Sequence, residues 1–169
     1  MPVVIALVVL VNVLRPTDDD GPPAEVLGTT SSGRADLPVL EVPTDPVAPA
    51  DEDDCGELLA AVPFELAGEP ARQVRSDNAY VYAWGDPPIV LLCGVARPAG
   101  FTVGAGLIQI NGVQWYVDTS DAATTVWTAV DRPVYVEVSV PAATDSAGVT
   151  QLTLPIGETL EQRDPDPGE

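Results

Sequence analysis

Residues 107–118 read Leu107-Ile108-Gln109-Ile110-Asn111-Gly112-Val113-Gln114-Trp115-Tyr116-Val117-Asp118. Asn111 and Gly112 both tolerate positive φ, and such a pair between two β-prone runs is a strong short-range signal of a hairpin. An antiparallel sheet is therefore the starting point. Downstream, Thr125 to Val130, the break Asp131-Arg132-Pro133, and Val134 to Val140 read as a further pair of strands. Val134, Val136, Val138 and Val140 share one face, while Tyr135, Glu137 and Ser139 share the other. Upstream, Tyr80 to Trp84 is a short β-prone run ended by Gly85-Asp86-Pro87-Pro88. Ile89 to Val95 (IVLLCGV) is apolar on both faces and reads as a central strand.

Helices are expected at both ends of this β region. Asp54 and Glu57 have capping-box spacing before Leu58, Leu59 and Val62, which predicts a short helix from Cys55 to Val62 ended by Pro63. Val149, Leu152, Ile156 and Leu160 follow helical spacing, interrupted by Pro155, so the last helix is expected to kink or begin there. The expected fold class is α+β, an antiparallel sheet of about five or six strands with one or two helices on one face. It fills residues 55–160, and 161–169 are expected to be a frayed, disordered acidic tail.

The chain has 169 residues, 46% of them hydrophobic but only nine aromatic, and its 25 Val outnumber its 15 Leu, a β-leaning balance. It carries 26 acids against seven Arg, with no Lys and no His, for a net charge of −19. Phosphates reward Lys and Arg stripes, so no nucleic acid is expected as a partner. Without His there is no imidazole base, and without Lys no Schiff base or P-loop. Ser76, Ser120, Ser139 and Ser146 therefore lack an activating partner. Asp86 and Glu137 could form a glycosidase-like carboxylate pair only if the fold brings them together.

Met1 to Leu14 (MPVVIALVVLVNVL) is uncharged, with six Val and only Asn12 as a polar side chain. As a helix it would reach roughly 21 Å, short of the roughly 30 Å hydrocarbon core. We read residues 1–14 as a truncated N-terminal membrane anchor whose basic flank is expected upstream of Met1. An in-frame stop codon immediately upstream would sink that expectation. Residues 15–54 hold seven Pro, no aromatic residue and eleven acids against two Arg, the composition of a disordered linker. Asp51-Glu52-Asp53-Asp54 does not open an EF-hand, because position 12 of such a loop would be Val62 where Glu is required. Neither a metal nor a cofactor is expected.

Cys55 and Cys93, an even pair behind an apolar start, suggest a disulfide outside the cytosol. The alternatives are a redox thiol pair or half a zinc site; the wide spacing is not C-x-x-C, and no His is present.

Several blocks resemble one family. They are Cys55-Gly56 with Leu58-Leu59-Ala60-Ala61 and Pro63, Arg72 and Val74, and Ala83-Trp84-Gly85-Asp86-Pro87-Pro88-Ile89-Val90-Leu91 with Cys93-Gly94-Val95. Asn111-Gly112-Val113 with Trp115, and Val134-Tyr135-Val136-Glu137-Val138 to Pro141, look like its later blocks. Together they resemble the domain-of-unknown-function 3515 family of actinobacteria over roughly residues 51–160. Two positions depart from that pattern: Leu92, where Arg is expected before the cysteine, and Pro155 in the terminal helix. The resemblance implies a membrane-anchored protein with its domain outside the cytoplasm and two paired cysteines. It supplies no activity, cofactor or catalytic residue.

Trp84, Asp86, Pro87 and Pro88 form the candidate binding surface, since a Trp beside a Pro pair on a loop can recognise extended peptides or sugars. The alternative is a rigid turn in which Trp84 covers the edge of the core. Arg72 and Arg75 are added to that surface; with Arg97 and Arg132 they either converge on an anion or pair singly with acids. The resulting expectation is a non-enzymatic binding or interaction module of the cell envelope. It would be held at the cell membrane by a single-pass anchor, its partner an envelope protein or a cell-wall component. The competing readings are a cell-wall hydrolase or transferase using carboxylates, and a structural accessory subunit of a membrane complex.

Overall fold

The computed structural model describes residues 34–168. The expected anchor over 1–14 and the linker up to residue 33 lie outside the described residues. Among the described residues no helix is long and apolar enough to cross a membrane. The elements, in chain order, are β1 (Leu40–Glu41), α1 (Glu52–Ala61), β2 (Glu65–Leu66), β3 (Glu69–Pro70), β4 (Val74–Arg75), β5 (Val81–Trp84) and β6 (Ile89–Val95). They continue with β7 (Leu107–Ile110), β8 (Val113–Asp118), β9 (Thr124–Ala129), β10 (Tyr135–Pro141) and α2 (Ala147–Thr159).

Six strands form one antiparallel sheet in the order β5-β6-β10-β9-β8-β7. Val136 lies opposite Cys93 on one side and Ala129 on the other, and Val138 opposite Leu91 and Trp127. Directly opposed residues share a face, so these side chains define the inner face. Cys55 and Leu58 of α1 and Val149, Leu152 and Ile156 of α2 join them in one core with Trp84, Trp115 and Val113. The α+β class and the inward Val136-Val138-Val140 stripe follow the alternation of the sequence. Trp115 is fully buried, and the half-buried Trp127 meets it edge to face at 6.3 Å.

Three differences from the sequence expectation have local causes. Helix α1 begins at Glu52, three residues before Cys55, because Glu52, Asp53 and Asp54 all occupy its first turn, where negative charge suits the helix dipole. Pro155 is buried inside α2, which begins eight residues earlier at Ala147 and not at the proline. The apolar face of the helix outweighs the missing N–H, and the Thr159 hydroxyl donates back to the Pro155 carbonyl at 2.8 Å. The third difference is the extent of the domain. Residues 34–51, expected as linker, lie along it: β1 pairs in parallel with β4, and the Leu40 and Val42 N–H groups donate to the Gln73 and Arg75 carbonyls at 2.9 Å. The acidic run after residue 160 is docked as well, through Arg163 N–H to the Asp131 carbonyl and Gly168 N–H to the Phe101 carbonyl.

Cys55 and Cys93 form a disulfide that joins α1 to β6, with both residues fully buried. Gly94, the next residue, has φ +75°, and a Cβ there would stand 2.7 Å from Val47 Cγ1. The glycine thus lets residue 47 lie directly against β6.

Candidate functional site

The β5–β6 turn, Gly85 to Pro88, is built around Arg72. The Arg72 side chain is only 5% exposed. Its guanidinium donates to the Gly85 carbonyl at 3.0 Å and to the Pro38 carbonyl at 3.1 Å, and stands 3.7 Å from Asp86 Oδ1. Gly85 takes φ +71°, and the Asp86–Pro87 peptide is cis. The Arg72 N–H donates to the Ala83 carbonyl and the Gly85 N–H to the Pro70 carbonyl, so β3 and the residues after it brace the turn.

Trp84 is fully buried. Its indole N–H donates to the Pro63 carbonyl at 2.9 Å, and Tyr82 packs against it with ring centroids 4.7 Å apart. Burial pushes the Tyr82 hydroxyl above its ordinary value. Trp84 therefore belongs to the core and forms the floor of a cleft rather than an exposed platform.

That cleft has a volume of about 370 Å³ and is lined by Trp84, Asp86, Pro87 and Ile89 of the hairpin, Ala67 and Glu69 of the β2–β3 hairpin, and Ala143 to Asp145 before α2. Its floor is apolar and its rim carries three carboxylates from segments distant in sequence. Asp86 stands beside Arg72, and Glu69 lies 4.0 Å from Arg34. Asp145 accepts the Ala147 N–H at 2.9 Å, which fixes the turn leading into α2, and lines the cleft.

The structure thus gathers Trp84, Asp86, Pro87 and Arg72 in one place, with Pro88 half-buried in the same turn. Arg75 lies apart, paired with Glu41 in a separate groove. The arginines do not converge: Arg132 pairs with Asp131 at 3.2 Å and donates to the Gly112 carbonyl at the β7–β8 turn, and Arg97 packs against Gly168. Glu69 and Asp145 escape a reading of the sequence because one opens the two-residue strand β3 and the other lies in the turn before α2, neither with a motif around it.

Two carboxyls elsewhere are perturbed. Burial pushes Asp131 up against the pull of the Gln114 backbone and the Arg132 guanidinium. Burial likewise pushes Glu137 up, opposed by the Ser139 hydroxyl, which donates to it at 3.4 Å. Glu137 lies opposite Leu92 on the outer face of the sheet, and Asp86 lies beyond the Trp84–Ile89 end of that ladder. Three strand residues and part of a turn separate them, roughly 10 Å or more along the strand, so the two carboxylates serve different surfaces. Among the described residues no group of His, Cys, Asp and Glu could hold a metal ion.

A family model described as a protein of unknown function (DUF3515) matches residues 2–165. The chain belongs to that family. For this DUF3515 protein, comparison with curated proteins and with solved structures gave no match. Membership in DUF3515 carries no activity with it, so function has to be argued from the cleft.

Proposed function

We propose that this DUF3515 protein is a binding module of the cell envelope, held at the membrane by its apolar amino-terminal segment with the folded domain on the extracytoplasmic side. The cleft beside Asp86-Pro87 is its contact surface, and its partner is an envelope protein or cell-wall component presenting a basic group. One observation carries this reading: an apolar floor of Trp84 and Ile89 beneath a rim of Glu69, Asp86 and Asp145, on a turn braced by a buried arginine. A few polar groups placed around a cleft can fix the orientation of what binds there, and the rim favours a cation. The buried disulfide suits an oxidising compartment.

The test is capture from intact membranes with a photo-crosslinking residue placed at Thr144, on the cleft wall. A discrete crosslinked partner is expected, and it is lost in Asp86→Lys at an unchanged thermal midpoint, the check that the new ammonium beside Arg72 has left the fold intact. Recovery of background alone, or a partner retained by Asp86→Lys, refutes the reading. The gathering of three carboxylates favours one competing reading, a carboxylate-dependent cell-wall hydrolase or transferase. Turnover of cell-wall fragments that disappears in both Asp86→Asn and Asp145→Asn would establish it.

A further inference from the structure

The two edges of the six-stranded sheet are treated differently. At β5 the chain covers its own edge: Ala71 bridges to Trp84, and Arg72 donates to Ala83. At the other edge, β7 pairs only with β8 among the described residues. The open groups on β7 follow from the register. Asn111 and Gly112, with φ of 45° and 84°, make a two-residue turn, so Ile110 and Val113 are the hydrogen-bonded closing pair. Alternation makes Ile108–Trp115 the next bonded pair and leaves Gln109–Gln114 and Leu107–Tyr116 unbonded. In agreement, the Gln114 carbonyl accepts the Val130 N–H at 2.9 Å, away from β7. The N–H and C=O groups of Leu107 and Gln109 therefore point out of the sheet.

Natural edges are usually blunted by charges, proline or a bulge. This one is not. Residues 98–117 contain no charged side chain in a chain where 20% of residues are charged, and β7 has neither proline nor bulge. Five large apolar side chains are exposed among the described residues, and three lie here: Val103 at 77%, Ile108 at 48%, and Leu154 at 56% beside the Asn111-Gly112 turn.

We propose that β7 pairs antiparallel with β7 of a second copy of this chain, about a two-fold axis at Ile108, joining the two sheets into one. An antiparallel edge is self-complementary under a two-fold. With the axis at Ile108, Leu107 lies opposite Gln109 of the copy, and the outward groups of both satisfy one another. The two Ile108 residues form a non-bonded pair with Cα atoms roughly 4.5 Å apart, each covering the other's exposed side chain. Residues 98–117 offer a basic peptide no acid to pair with, so this uncharged strip selects a copy of itself over such a peptide. Two chains of net charge −19 repel over most of their surfaces, whereas the uncharged strip of 98–117 lets them meet without setting acid against acid. Repulsion between the remaining acids is screened by salt, so self-pairing tightens as salt is added, whereas a basic partner would loosen.

The test uses the full chain in a non-ionic detergent, with Ile108→Cys. Cys55 and Cys93 are bonded to each other, leaving the introduced thiol as the free one. Mild oxidation should link two copies about tenfold faster through position 108 than through Thr119→Cys, an exposed control, because pairing raises the local thiol concentration. The linking rate should rise with added salt. Ile108→Lys should shift the untreated chain from dimer to monomer in sedimentation. Equal linking at 108 and 119, a dimer unaffected by Ile108→Lys, linking that weakens with salt, or a thiol at 108 that captures a different protein each overturns the proposal.

Discussion

Reducing the Cys55–Cys93 bond while leaving both sulfurs in place isolates one contribution to the fold. The two residues are 38 apart in sequence. In the chain-entropy account, closing a loop of that length removes about 13 cal/mol/K from the unfolded chain, or about 4 kcal/mol at 25 °C. A domain of this size has about 5–15 kcal/mol in all, so the bond accounts for a large share. Both cysteines are fully buried in the core, and keeping the sulfur atoms avoids the cavity that Cys→Ala would add. The assay is guanidinium unfolding of the full chain, oxidised and reduced, followed by tryptophan fluorescence, since Trp84 and Trp115 are both buried. The reduced chain should unfold at a lower midpoint, and its m-value should rise because the unlinked chain exposes more surface when unfolded. A stability difference below about 1 kcal/mol would refute the reasoning, since loop closure alone predicts about four times that.

Three further outcomes are expected. Gly94→Ala, with a left-handed φ and a Cβ placed 2.7 Å from Val47 Cγ1, should cost about 2 kcal/mol or more. In a Val47→Ala background the steric part should be recovered, and strictly additive costs would show that residue 47 does not press on β6. Glu137→Gln should stabilise the protein at neutral pH. Burial raises the folded carboxyl above its unfolded value, so its contribution is present at low pH and lost as the pH rises through the raised value; the advantage of Gln should vanish at about pH 3. A thermal-shift difference independent of pH would contradict this. Trp84→Phe removes the indole bond to the Pro63 carbonyl and should cost about 2 kcal/mol in thermal unfolding; an unchanged midpoint would show that the bond contributes nothing.

The parts of the fold visible in the sequence are those in which each element buries its own side chains. The Val136-Val138-Val140 alternation and the Asn111-Gly112 turn announce their strands because burial and turn geometry act on the residues themselves. Residues 34–51 and 161–168 escaped because they are held by backbone groups: the Leu40, Val42, Arg163 and Gly168 N–H groups donate to carbonyls of distant residues, and no side-chain period records such a bond. Their Pro and acid content, a mark of disorder in an isolated segment, is compatible with lying extended on a sheet already formed. At the cleft, Trp84, Asp86 and Pro87 were legible as a distinctive loop. The walls that make it a cleft, Glu69 of β3 and Asp145 before α2, come from segments whose juxtaposition depends on the whole topology. The role of Arg72 was open for the same reason, since only the folded chain shows it beneath the Gly85 carbonyl rather than facing a ligand.

The bond between Cys55 and Cys93 also has a mechanical meaning. If the chain is pulled from its amino terminus, tension reaches Cys55, crosses the sulfurs to Cys93 and continues toward the carboxyl terminus. Residues 56–92 lie off that load path. They carry six of the nine residues that line the cleft: Ala67, Glu69, Trp84, Asp86, Pro87 and Ile89. Stretching a single molecule to full extension should fall short by roughly 130 Å, the contour of the 38-residue loop, until the bond is reduced. Force applied across the two ends of the chain therefore bypasses most of the residues that line the cleft.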